Sequence, residues 1–217
     1  MENYNETPQQ ERSKVNPFLS TWMHPKQTAR YMIDAKSIGY AILIMSIAYI
    51  GAMLTGLIDS DFLLNVSPWI IVLFCVILAP ISAIIGTAFS TLIFWLVGKL
   101  FKGSATFSEM FKGLSLAGVP FIALIPFYLI WLFTSPESLM DANYMESAPW
   151  IFWPSILMTA VTSIWSMVIT VGVVAEAHRF SNWKAFFTVL IPSIVGVIIL
   201  FILLIIIFIG IIGISMI

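Results

Sequence analysis

The stretch FLLNVSPWIIVLFCVILAPISAIIGTAFSTLIFWLVG, from Phe62 to Gly98, contains no Asp, Glu, Lys or Arg. A hydrocarbon core about 30 Å thick needs roughly 20 helical residues to cross it, and only a helix satisfies its own backbone hydrogen bonds in lipid. The stretch is therefore long enough in principle for two short crossings. Ser67-Pro68-Trp69, however, reads as a loop ending in an interfacial aromatic, and the residues after it fit one tilted or kinked helix over 69–97, with Pro80 and Gly86 as kink points. Counting it once decides the parity of the whole chain, and so the side on which the C-terminus lies.

Four further intervals are free of charge: Ser37 to Ile58, Gly113 to Pro136, Ser147 to Ala175 and Ala185 to Ile217. Trimmed at Trp, Pro and turn signals, they give spans of 38–58, 113–134, 152–175 and 189–216. The expected fold class is all-α, a polytopic integral membrane protein built as a five-transmembrane-helix bundle over residues 38–217, preceded by a tail of residues 1–37. Composition agrees, with 60% apolar and 10% charged residues against about 25% charged in an ordinary soluble domain. The first 37 residues hold no apolar run of signal-peptide length, so the first span is expected to direct insertion itself. Cys75, the single cysteine, lies inside an apolar run and is expected to pack as a small apolar group.

Basic residues set the orientation. Arg12, Lys14, Lys26, Arg30 and Lys36 precede the first span, Lys99, Lys102 and Lys112 lie between the second and third, and Arg179 and Lys184 lie between the fourth and fifth. The other two loops carry Asp59, Asp61, Glu137, Asp141 and Glu146 and no Lys or Arg. The positive-inside rule then places the N-terminus in the cytoplasm and, with five crossings, the C-terminus on the extracytoplasmic side. A four-span or six-span reading would put basic residues on both sides. Scattered in this way, the basic residues form no patch for nucleic acid.

Within the tail, residues 1–15 are polar and poor in apolar residues, the composition of disorder. From about residue 25 the pattern predicts a short amphipathic helix on the inner membrane face, because Pro25 suits a helix first turn and Ala29, Met32 and Ile33 oppose Lys26, Arg30 and Asp34. Trp22 and Phe18 are expected at headgroup depth. Between spans two and three, Thr106-Phe107-Ser108-Glu109 fits the capping box, so a helix begins near Phe107. Gly118, Pro120 and Pro126 predict a bent third span.

The span centres hold no ionisable side chain, although proton relays, counter-ions and metal sites in membranes need them despite their cost. There is no H-E-x-x-H, no G-x-S-x-G and no G-x-x-x-x-G-K-[ST]. An enzyme is not expected, nor a cofactor, nor a metal site. Glu176, His178 and His24 come nearest to a metal set, but Glu176 and His178 are read as closing the fourth helix and contacting Arg179. Small and weakly polar residues recur instead. Ser155, Thr159, Thr162, Ser163, Ser166 and Thr170 share one face of span four, Ser82, Gly86 and Ser90 lie four apart in span two, and Ala48, Ala52 and Gly56 do so in span one. These faces are expected to pack against protein. Val197 to Ile209 is nearly unbroken Ile, Leu, Val and Phe and is expected to face lipid.

Several of these residues also carry a family likeness. Gly103 to Glu109, followed by Leu116-Ala117-Gly118-Val119-Pro120, resembles the characteristic stretch of Yip1-domain membrane proteins, in which a Gly and aromatic loop leads into a span containing Pro. Trp165-Ser166 through Gly172, Glu176 and His178 to Trp183-Lys184-Ala185 is similar to the end of the fourth span and the following loop of bacterial members, and Asn16-Pro17-Phe18 with Trp22 and Pro25 resembles their lead-in. The likeness runs from Asn16 to about Pro192. It implies five spans, a cytoplasmic N-terminus and no catalytic constellation. In eukaryotic members it implies vesicle trafficking and Rab-type GTPase binding, but the long acidic or Pro-rich tail of many such members is not matched here. Some bacterial relatives resemble accessory subunits of ABC-type export systems. The expected function is a non-enzymatic membrane adaptor or assembly factor in a bacterial plasma membrane. It would serve an ABC-type export or envelope-stress system and meet the bilayer and a membrane-protein partner, ABC transporter subunits or another copy of itself. A small-molecule or ion transporter and a trafficking factor are the alternatives. Contact positions are expected at Trp22, Pro25, Gly103, Phe107, Glu109, Pro120, Trp165, Ser166, Glu176, His178 and Trp183.

Overall fold

Helix starts are written plainly in this chain. Proline occupies the first turn of α1 (Pro17–Met23), α2 (Pro25–Ala35), α4 (Pro68–Leu100) and α7 (Pro136–Met140), where its missing N–H loses nothing and its fixed φ is already helical. Side-chain oxygens cap others: Asn16 accepts from Phe18 N at 3.0 Å and Ser37, before α3 (Ile38–Thr55), accepts from Tyr40 N at 3.2 Å. The remaining helices are α5 (Phe107–Leu114), α6 (Leu124–Thr134), α8 (Phe152–His178) and α9 (Asn182–Ser215), with 3₁₀ turns at Asp61–Leu63 and Ser115–Ala123. This is a computed structural model, and it describes residues 16–215. Residues 1–15, expected to be disordered, lie outside the described residues.

Among the described residues, five helices are long and apolar enough to cross a membrane: Ile38–Thr55, Pro68–Leu100, Phe107–Thr134, Phe152–His178 and Asn182–Ile207. The chain is thus an all-helical, multi-pass membrane protein. The stretch from Pro68 to Leu100 is one helix, continuous through Pro80. The fifth begins at Asn182, well ahead of residue 189, because its first two turns bury Ala185, Thr188 and Val189 against the bundle. Beyond Pro192 the helix leaves its neighbours, and every residue from Ser193 to Ile207 is exposed, as a lipid-facing segment should be.

α3 lies against α4, α6 and the Ser115–Ala123 segment, and α8 lies against that segment, α2 and α9. The core is built in two parts. One gathers Ala29, Met32, Ile44, Met45, Met110, Leu116, Ile169 and Val173; the other gathers Leu54, Ile71, Tyr128, Trp131, Leu132, Leu139 and Met140. α2 belongs to the first: Thr28, Ala29 and Met32 are buried against α5 and α8, so its apolar face is covered by protein rather than laid on lipid. Lys112 fixes the end of α2 by donating to the carbonyls of Ile33 and Lys36, acceptors that no helical N–H reaches.

The close approaches differ in part from the expected small-residue rows. In α3, Ala48 and Gly51, three apart, face the third crossing, while Ala52 turns to a cavity and Gly56 is exposed. A Cβ on Gly51 would run into the Phe121 carbonyl, and one on Gly118 would come within 2.9 Å of Ala48 Cβ. An i, i+3 row serves because its partner is a 3₁₀ segment, whose side chains eclipse every three residues. In span four the polar face packs on protein in part: Ser155 and Thr162 are buried and the Thr159 hydroxyl hydrogen-bonds the Tyr128 hydroxyl at 2.9 Å, while Ser163 is exposed.

Helix ends sort the charges. Arg30–Glu176, Ser104–His178 and Lys112–Ile33 contacts tie α2, the 101–106 loop, α5 and the end of α8 together, so all the described Lys and Arg residues gather at one end. At the other end, Ala142 N donates to Asp61 Oδ1 at 2.9 Å and Asp59 N to the Leu139 carbonyl at 3.1 Å, and among the described residues no Lys or Arg is present there.

Candidate functional site

At the basic end, α2, α5 and the end of α8 enclose a polar basin of about 310 Å³, lined by Arg30, Asp34, Glu109, Glu176 and Arg179 with Ile33 and Ala177. Glu176 is held by Arg30, whose Nε and Nη2 each lie 2.6 Å from its Oε1. Glu109 is held by its own helix start: its Oε2 accepts from Thr106 N at 2.6 Å and from Thr106 Oγ1 at 2.7 Å, while Glu109 N donates to Thr106 Oγ1 at 3.2 Å. The capping box read in the sequence is thus complete. Arg179 ends α8 in the left-handed region, with φ 57°. Phe180 N donates to the Ala175 carbonyl at 2.8 Å, a helix stop normally made with glycine. Three carboxylates and two guanidinium groups therefore meet on fixed backbone. The set can make ionic and bidentate hydrogen bonds.

His178 is next to the basin but not in it. Only 2% exposed, its ring stacks on Phe180 with centroids 5.1 Å apart and fills the space beside Gly98 and Gly103, where any Cβ would overlap it. Nε2 lies 3.3 Å from the Phe94 carbonyl, and Nδ1 has no protein partner. Its carbonyl accepts from Ser104 Oγ at 3.3 Å. With Trp95 Nε1 donating to the Ala105 carbonyl at 3.0 Å, these contacts seat the 101–106 loop. His24 lies elsewhere, in a groove beside α8. The Glu176, His178 and His24 set does not converge, and among the described residues no group of three His, Cys, Asp or Glu side chains is placed to hold a metal.

Deeper in the bundle, the third crossing is α-helical, then 3₁₀ from Ser115 to Ala123, then α-helical again. In a 3₁₀ ladder the Ala117 carbonyl looks to the N–H three residues on. That residue is Pro120, which has none. Ser166 supplies the missing donor from α8, its Oγ 2.7 Å from the Ala117 oxygen. Beside this contact is a cavity of about 360 Å³ whose lining includes the hydroxyl residues Tyr49, Thr87, Ser90, Ser163, Ser166 and Thr170.

Of the sequence-chosen positions, the structure joins Pro120 with Ser166 through Ala117, Gly103 with His178, Glu109 with Glu176 across the basin, and Trp22 with Trp165, whose Nε1 donates to the Trp22 carbonyl at 3.0 Å. Pro25 lies against Gly172, and Phe107 packs between Trp95 and Phe111. Trp183 stands apart, 75% exposed. Sequence reasoning passed over Gly98, Tyr49, Thr87 and the pairing of Arg30 with Glu176. Tyr49 and Thr87 left a trace, as polar groups inside spans; the pairing joins residues 146 apart and left none.

Set against known proteins, the family model described as the Yip1 domain matches residues 19–206. No curated protein and no solved structure matches the chain.

Proposed function

We propose that this chain, which belongs to the Yip1 domain family, is a non-enzymatic membrane adaptor that receives a charged segment of a partner membrane protein in the basin between α2, α5 and α8. The observation that carries this reading is the basin itself: Arg30, Asp34, Glu109, Glu176 and Arg179 lie around one opening, on backbone fixed by a capping box and a helix stop. Complementary charge of this kind governs partner choice and encounter more than raw affinity. The placement of the Lys and Arg residues supports a cytoplasmic position for the basin and the N-terminus, and the likeness of Asn16 to Pro25 and of Trp165 to Ala185 to bacterial members supports the plasma membrane of a bacterium. An ABC-type export subunit or envelope protein is the partner class proposed. Mild crosslinking in native membranes followed by affinity purification should recover a stoichiometric membrane-protein partner. Asp34→Lys with Arg179→Glu should lose it at unchanged protein level. Repeated recovery of the chain alone, or of the same partner in both proteins, refutes the reading.

The hydroxyl-lined cavity favours one second reading, a path for a small polar solute through the bundle. Flux through proteoliposomes that Ser166→Leu and Thr170→Leu abolish would support it, and flux indifferent to both would remove it.

A further inference from the structure

A second opening lies on the lipid-facing side of the basic end, a groove of about 660 Å³ between the first turn of α2, the last turns of α8 and the start of α9. Its two ends differ in chemistry. Ile164, Met167, Val168 and Val171 form a stripe on successive turns of α8, with Phe186 of α9 opposite. From Gly172 to Ile164 this stripe spans eight residues, about 12 Å along the helix, most of the roughly 15 Å from the interface to the bilayer midplane. The other end is polar: His24, Lys26, Gln27 and Asn182. No Asp or Glu lines the groove, in contrast to the basin next to it, where carboxylates balance the cations. No side chain caps the α2 N-terminus, so its first turn adds partial positive charge to that of Lys26.

We propose that this groove is a binding site for one anionic glycerophospholipid, its phosphate held by Lys26 and Gln27 and one acyl chain lying along Ile164 to Val171. The polarity gradient runs the way a lipid of that leaflet lies, with the headgroup level with the other basic residues and the hydrocarbon directed inward. The absence of carboxylates selects against a cationic ligand and for an anionic headgroup. Pro25 and Lys26 pack over Gly172 at ordinary contact distance, 3.5 and 3.7 Å from where a Cβ would stand, so the α2 first turn lies over the end of the stripe.

The test uses the full chain purified in mild detergent and native mass spectrometry with phosphatidylglycerol and phosphatidylcholine of identical chains. The wild type should retain one phosphatidylglycerol, at least about fivefold more readily than phosphatidylcholine, the ratio given by about 1 kcal/mol per basic residue near an anionic headgroup. Lys26→Glu should erase that preference. Val168→Trp, at a position 46% exposed and so outside the core, should fill the groove and lose both lipids. As a check on the unmutated protein, a phosphatidylglycerol carrying a mid-chain photoreactive group should label 164–171 of α8. Equal retention of the two lipids, retention unchanged by Val168→Trp, or labelling concentrated on the exposed face of α9 overturns the proposal. So does a bound peptide or second copy in place of lipid.

Discussion

Replacing Ser166 with Ala removes the hydroxyl that donates to the Ala117 carbonyl at 2.7 Å and leaves the fold around it otherwise intact, since Thr170 Oγ1 bonds the Ser166 backbone oxygen rather than its side chain. The contact is part-buried, so losing it costs about 0.5–1.5 kcal/mol. For a chain of this size each kcal/mol lowers Tm by roughly 2–4 °C, so Ser166→Ala should melt about 1–6 °C below the wild type. Destabilisation alone would not identify the cause. The carbonyl needs Ser166 only because residue 120 is proline. Pro120→Ala restores an N–H three residues after Ala117, and in that background Ser166→Ala should be nearly silent. Thermal unfolding of the wild type, both single variants and the double variant in one detergent measures the coupling, expected to be about 0.5–1.5 kcal/mol. Effects that add within about 0.3–0.5 kcal/mol, as independent sites do, would refute the idea that Ser166 stands in for the missing donor.

The other predictions concern the basic end. Gly98→Ala drives a Cβ into the His178 ring and should cost about 1–3 kcal/mol by overpacking; combined with His178→Ala much of that cost should vanish in the same melting assay, and additive losses would refute the contact. Arg179→Gly relieves a left-handed backbone worth about 1–2 kcal/mol while deleting a cation of the basin, so thermal stability should rise and partner crosslinking fall; a variant that loses or gains both together would contradict the assignment. Thr106→Ala should cost about 0.5–2 kcal/mol through loss of the cap, and Thr106→Ser should restore most of it, as read by Tm or by proteolysis of the 101–106 loop.

Local chemistry was legible in the sequence; long-range pairing was not. Charge-free length located all five crossing helices, and the T-x-x-E spacing located the start of α5, because a capping box is a contract between neighbours three apart. The interruption of the α-helix in the third crossing was also foreshadowed by Gly118 and Pro120. The residue that repairs it could not be read: Ser166 lies 49 positions away and was one of six hydroxyls on the same helix face. α2 shows the same limit. Its amphipathic pattern was evident, but a pattern of Ala29, Met32 and Ile33 against Lys26, Arg30 and Asp34 does not say whether lipid or protein covers the apolar side. The answer depended on α5 and α8 being there to cover it.

The 3₁₀ segment itself explains why glycine and proline are concentrated where they are. Nine residues at about 2.0 Å rise reach about 18 Å, against about 13.5 Å for the same residues as α-helix, so Ser115–Ala123 lets the crossing stretch while α5 stays docked on α2 and α6 stays in the Tyr128–Trp131 part of the core. A 3₁₀ run this long is unusual, because its hydrogen bonds are poorer than those of an α-helix. Pro120 makes the α-helical alternative worse, since its ring would meet the carbonyl four residues before it and it offers no donor. Gly51 lets α3 press directly on the Phe121 carbonyl, and Gly118 lets the segment press on Ala48. Ser166 then satisfies the carbonyl that the proline leaves bare. Each of these residues answers a backbone problem created by another, and so the segment between the two α-helical halves is held by its neighbours α3 and α8 as well as by its own ladder. A displacement of α8 at the basic end, where the basin and the groove both lie, would therefore bear directly on the geometry of the hydroxyl-lined cavity.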